Sequence, residues 1–271
     1  MSLYDMMEEI SEKQVTKTET GDTRISGVVV GVVAKNYDKD MPGRVCVTIP
    51  TRDDRANELQ WARKAFPSGG KKGGHYFVPE VGDQVLLAFE GGNIEKPYII
   101  GSVLEDNAPL LRERTDENNQ FKCIETRNGS TILFEDNKEG DGEKDKITVE
   151  TAGKTHQILM DNENKLIRVS DKKKENMVEL STESGQMVLR AKSKLTIEVG
   201  DNIKLILNGD SGAIQITANE FSVKTSKGMQ LKTDGMLKQE GAQVSHTASS
   251  MYKAESSGMM SFSGSPMKLG K

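Results

Sequence analysis

Aromatic residues are scarce, 5% of the 271 positions, and Trp61 is the single tryptophan. A surface that grips sugars or unpaired bases by stacking therefore has little to stack with. Cysteine is nearly absent too: Cys46 and Cys123 stand far apart, which excludes a disulfide framework and favours two reduced, buried thiols. His75, His156 and His246 are the only histidines, and none has a cysteine or carboxylate at ligand spacing. No run approaches the ~20 apolar residues that cross a bilayer. The first residues also lack the basic start and apolar stretch of a secretory leader, so synthesis in the cytoplasm is the expectation.

The motifs of common chemistries are missing as well. The glycine-rich segment 69–74, GlyGlyLysLysGlyGly, lacks the Gly-Lys-Ser/Thr ending and the following helix of a phosphate loop. No Gly-x-Ser-x-Gly elbow is present. The acidic segment 139–145 lacks the alternating ligand order of a calcium loop and reads as a solvated turn. AsnGlySer at 128–130 reads as a turn rather than a glycosylation site. No enzymatic activity, cofactor or metal is expected, apart from one minor possibility at His246 taken up below.

Hydrophobic residues amount to only 35% and charged residues to 29%. That is lean for a monomer of this length and suggests that other copies of the chain complete the core. Residues 1–22 are polar, with Leu3, Met6, Met7 and Ile10 spaced for one short amphipathic helix, either a frayed end or an arm that orders on a partner. Residues 25–104 then read as strands: 25–33, 44–50, 83–89 and 97–103, punctuated by glycine and proline. Four or five short strands in this length suggest a small closed barrel of the OB type. Residues 105–128 are charged and aperiodic and read as a linker. Strands of about five residues follow at 132–135, 147–150, 157–161 and 166–170.

From residue 187 the chain repeats. Apolar residues alternate within short runs that begin at 187, 195, 203, 214, 221, 229, 237, 244, 252 and 260, mostly seven or eight residues apart. A unit of one strand and one turn is too short to encircle a core alone. Three chains winding together would supply three faces of a prism and enclose a common interior. Leu195, Ile197, Ile203, Leu205, Phe221, Val223 and Leu231 are the candidate residues of that shared core, while Thr196 and Glu198 face water. Towards the C-terminus the inward positions include Gln239, His246 and Ala254, suited to a tapering end. Three copies of His246 would meet on one axis, where they could bind an ion, although a stacked, hydrogen-bonded histidine is the plainer reading.

TrpAlaArg (61–63), the glycine-rich stretch 69–93 ending ValLeuLeuAlaPheGluGlyGlyAsn, and LysProTyrIleIleGlySerVal (96–103) together resemble the OB domain of the phage baseplate protein V and VgrG spike family. The repeats from about 129 resemble that family's trimeric β-helix, and SerGlySerProMetLysLeu (263–269) its blunt end. The resemblance implies a structural central spike of a phage tail or contractile injection system, which pierces a target envelope. VgrG proteins carry a large hub domain before the barrel. Only about 22 residues stand there in this chain, so the resemblance implies a separate hub protein, met through Leu3, Met7 and Ile10. It also implies a separate PAAR-type tip protein, docked on Met260, Phe262, Met267 and Leu269.

The expected fold is all-β: an N-terminal arm over 1–24, an OB-fold barrel over 25–104, a linker over 105–128, and an intertwined trimeric β-helix, or β-prism needle, over 129–271. The expected partners are two further copies of the chain, the hub and the tip protein, with the target membrane met only on puncturing, and the expected location is an assembled particle. Two other functions compete. A trimeric β-solenoid fibre could bind or degrade surface polysaccharide, but paired carboxylates and aromatic platforms are lacking. An OB-fold nucleic-acid binder needs a basic groove, whereas residues 1–104 carry 13 basic against 15 acidic side chains.

Overall fold

The computed structural model describes residues 7, 24–50 and 60–268; Leu3, Ile10 and Leu269 lie outside them. The chain divides into two compact units, Met1–Thr217 and Ala218–Lys271.

The first unit opens with β1 (Val29–Lys35), β2 (Arg44–Thr48), β3 (Gln60–Lys64), β4 (Gln84–Phe89) and β5 (Pro97–Val103). They close into a barrel in the order β1-β2-β3-β5-β4, with β4 returning to β1. Among the described residues only β3 and β5 pair in parallel. Alternation sends Val33, Val45, Val47, Val85, Leu87 and Ile99 inward, and all six are buried. Gly31 is needed here, since a Cβ on it would lie 2.6 Å from Leu87 Cδ1. The alternating runs predict four of these strands. The fifth, β3, carries only one fully buried side chain, Ala62, so it offers no apolar period. Residues 69–74 form a small hairpin in which the Gly70 N–H donates to Gly73 O (2.9 Å), with no helix after it.

The stretch 105–128, expected as a linker, carries a helix and a strand. Helix α1 (Pro109–Arg114) begins on a proline at its first turn, where no N–H is missed. Strand β6 (Phe121–Glu125) opens a meander with β7 (Thr131–Glu135), β8 (Lys146–Glu150), β9 (His156–Asp161), β10 (Leu166–Asp171), β11 (Met177–Ser181) and β12 (Gln186–Arg190). The seven form one antiparallel sheet in sequence order. Strand β6 escapes detection in the sequence because Lys122 takes the place of an apolar residue in its alternation.

Strands β13 (Lys194–Val199), β14 (Ile203–Asn208) and β15 (Ala213–Thr217) form a second, three-stranded antiparallel sheet. The hairpins within both sheets turn on residues with positive φ, among them Gly129, Lys165, Lys174, Gly185, Gly200 and Gly212. The longest link, 136–145 between β7 and β8, is tied at its base: the Asn137 N–H donates to Asp145 Oδ1 (2.8 Å).

The second unit contains no assigned strand over residues 218–268, where the repeat predicts them. Strand assignment needs a hydrogen-bonded neighbour, and among the described residues this stretch makes no backbone–backbone hydrogen bond. Beyond Glu220 it bends at 226–227, 234–235, 242, 249–250, 257–258 and 265–266, about every eight residues.

Candidate assembly interface

The strand registers show what each face of the seven-stranded sheet carries. Ile124, Ile132, Val149, Ile158, Val169, Val178 and Leu189 lie opposite one another from strand to strand in one unbroken row. Phe134, Ile147, Met160, Ile167, Leu180 and Met187 form a second row beside it, and Lys122 stands at its head. The Lys122 ammonium turns aside to Asp136, 2.7 Å away. Each strand from β7 to β12 thus places two apolar side chains on one face.

The burial is inverted relative to a monomeric sheet. Not one member of the two rows is buried: Ile158 is 42% and Val169 49% exposed, whereas Asp161 and Ser170 on the opposite face are 7% and 6%. That opposite face mixes apolar residues, among them Leu133, Leu159 and Val188, with paired polar side chains. Arg168 lies in register with Glu179, at 2.6 Å, and Lys146 meets Glu163 at 2.7 Å. Asp161 accepts from both the backbone and the side chain of Asn164. Together with Lys146 these bonds outweigh its burial and hold its carboxyl below the usual range.

The three-stranded sheet follows the same rule. Leu195, Leu207 and Ile214 align, as do Ile197, Leu205 and Ile216, with Val199 opposite Ile203 at the end. Leu195, Ile197, Ile203 and Leu205, predicted to share a face, do so. Glu198 and Lys204 face each other on the other side at 2.5 Å, and this ammonium holds the Glu198 carboxyl below its ordinary value.

In the second unit the bends give a frame for the repeat. Five residues before each bend stand Phe221, Met229, Leu237, Val244, Tyr252 and Met260. Three before stand Val223, Leu231, Gln239, His246, Ala254 and Phe262. The position between them holds only serine, glutamine or lysine. All the predicted residues of this stretch are exposed, including Phe221, Val223, Leu231 and Met267. His246 lies 6.0 Å from the Tyr252 ring, centroid to centroid. Met236, Met251 and Met259 occupy the position before the first apolar one, and Met259 is 92% exposed.

Among the described residues no three histidine, cysteine or acidic side chains gather as a metal site, and no helix is long and apolar enough to cross a membrane. Burial pushes the Cys46 thiol above its ordinary value, which suits an inert core residue. Of the arm residues only Met7 is described, and it is exposed. Counting the repeat from residue 187 misses the two rows between β6 and β11, although the pairs Ile132/Phe134, Ile147/Val149, Ile158/Met160 and Ile167/Val169 carry the same alternation.

Residues 29–104 match the family model of the type VI secretion system/phage-baseplate injector OB domain. These residues span the strands of the barrel, and the match supports a structural role in a contractile injection system. No curated protein matches the chain.

Proposed function

We propose, taking the barrel as the injector OB domain it matches, that this chain is a homotrimeric central spike: a barrel base followed by a needle in which three copies share one apolar interior. The observation that supports this reading is the pair of apolar rows. Two residues per strand continue through both sheets, and the same spacing recurs in the bent repeat of residues 218–268, uncovered throughout the single chain. Burying one such side chain is worth ~1.5–3 kcal/mol, so so many exposed together favour association strongly. A second copy is the suitable cover because a narrow stripe on every strand matches the same stripe on its siblings. Force along such a needle is borne by hydrogen-bonded strands whose separation must expose a core belonging to all three chains.

The test is the solution mass. Light scattering on the purified protein should give about three times 29.8 kDa, with dissociation and unfolding in one transition. A well-behaved monomer at micromolar concentration would sink the reading.

The phase of the stripe in the second unit has its own readout. Methionine oxidation follows access. In the assembled protein Met236, Met251 and Met259 should form sulfoxides rapidly under mild peroxide, while Met229, at an inward position, should react several-fold more slowly. Peptide mass spectrometry resolves the four sites, and equal rates at all of them would overturn the assignment.

The needle's end is proposed to carry a separate PAAR-type tip protein on Met260, Phe262, Met267 and Leu269. Phe262, Pro266 and Met267 line a shallow hollow there, and a solenoid end needs a cap. Truncation after Gly258 should abolish capture of such a partner in a pull-down and leave a soluble trimer. Melting of the whole needle on truncation would show instead that these residues close the prism themselves. The arm, with Leu3, Met7 and Ile10, is proposed to meet the hub. The assembled particle is the proposed location.

A further inference from the structure

The link between β12 and β13 differs from every hairpin around it. Residues 191–193, Ala-Lys-Ser, are as few as the three that join β13 to β14, yet β12 and β13 do not pair. The β13–β14 link turns on Gly200 at φ 56°, and the other hairpins from β6 to β15 each contain at least one residue of positive φ. Residues 191–193 contain none. A short link reverses an antiparallel pair readily only when some residue enters the left-handed region. Here the chain bends at Lys192 and Ser193 without bringing β13 back alongside β12.

Two strand edges are left open by that step: the side of β12 away from β11 and the side of β13 away from β14. An open edge is a row of unsatisfied N–H and C=O groups and a template for another strand. Both strands also bear the apolar pair on one face, Met187 with Leu189 and Leu195 with Ile197. An occupant must therefore present a strand edge and continue the same stripe, and the chain's own repeat is what does both.

We propose that residues 191–193 are a crossover at which each chain leaves its own face of the trimer, so that β13 of one copy pairs with β12 of the next. Around a three-fold axis all copies run in the same sense. A chain that moves onward without reversing lays its β13 parallel to the neighbour's β12. The inference rests on the trimeric reading and adds the seam to it: up to β12 the strand pairs form within one chain, and at β12–β13 the pair joins two chains. Repeating the step around the axis interlocks all three.

The test uses paired cysteines on the face opposite the apolar rows, which leaves the shared interior untouched. Three double variants, Gln186→Cys/Lys194→Cys, Val188→Cys/Thr196→Cys and Arg190→Cys/Glu198→Cys, are made in a Cys123→Ser background and oxidised. At least one should migrate as a covalent trimer on non-reducing gels. In-chain disulfides alone, or no disulfide in any of the three, overturn the crossover. Hydrogen exchange on the unaltered protein gives an answer even if the variants misfold. Amides 186–190 should all be protected in the native assembly, whereas free exchange of every second one means the β12 edge is open and the proposal fails. Light scattering on the same reduced samples separates the two ideas. A mass near 29.8 kDa defeats the trimeric reading itself, while an intact trimer with only in-chain links defeats only the crossover.

Discussion

Replacing Ile197 with aspartate should break the assembly at neutral pH. Ile197 lies in register with Leu205 and Ile216 on the all-apolar face of the three-stranded sheet. Three copies would carry three carboxylates into one interior, where the cost is several kcal/mol per ion. The group would escape that cost by staying protonated, so its pKa in the assembly would rise above the ordinary ~3.9. The sign follows: below that value the acid is neutral in both states and the penalty is small, and the penalty grows as pH rises. Light scattering should therefore find dissociated chains at pH 7 and partial recovery of the trimer near pH 4. The adjacent Glu198→Lys is the control. Glu198 lies on the wet face against Lys204, so its loss removes one exposed ion pair and should leave the mass unchanged. Two equally harmless substitutions would mean that the assigned face is wrong.

Leu87→Ala should damage the barrel and spare the assembly. Leu87 is completely buried between Val29 and Ile99 in the strand register. Truncating such a leucine costs ~2–5 kcal/mol, depending on how far the cavity collapses. Collapse is limited here because Gly31, which already lies against Leu87, has no side chain to move into the space. For a domain of this size the barrel transition should fall by ~10 °C or more. Trp61, the sole tryptophan, lies on β3 of the barrel, so its fluorescence follows this transition alone. The solution mass should stay that of the parent protein, because the apolar rows begin only at Ile124. Loss of the assembly together with the barrel would show that the barrel takes part in holding the copies together.

Much of this organisation was legible in the sequence wherever one face of a strand alternates cleanly. The runs at 44–50, 83–89 and 97–103 predicted three walls of the barrel, and Leu195/Ile197 with Ile203/Leu205 predicted a common face. Alternation survives in a single chain because it is set by side-chain period, independent of what covers the face. Where the period is broken the sequence was silent. β3 shows one inward alanine between Trp61 and Arg63, and β6 shows Lys122 where a second apolar residue would stand. The short β11 stands between the runs read from the sequence, although Val178 and Leu180 alternate. The absence of a turn at 191–193 became meaningful only against the backbone angles of the neighbouring hairpins.

The long link between β7 and β8 has a practical consequence. Its neck is fastened by Asn137 and Asp145, and the Asn162 side chain donates to Gly142 O (2.8 Å) from the next turn. Glu139, Gly140 and Asp141 are exposed to solvent, with the Gly140 N–H donating to Asn137 Oδ1 (3.2 Å) and Asp141 Oδ1 accepting from Asn137 Nδ2 (2.6 Å). Lengthening a surface loop costs little once its ends are held, since closure entropy grows only slowly with length. Foreign sequence spliced between Glu139 and Gly140 would lengthen only the loop and leave both sheet faces as they are. Position 139–140 is thus a natural graft point for an epitope, a fluorophore tag or a peptide payload, displayed once on every copy.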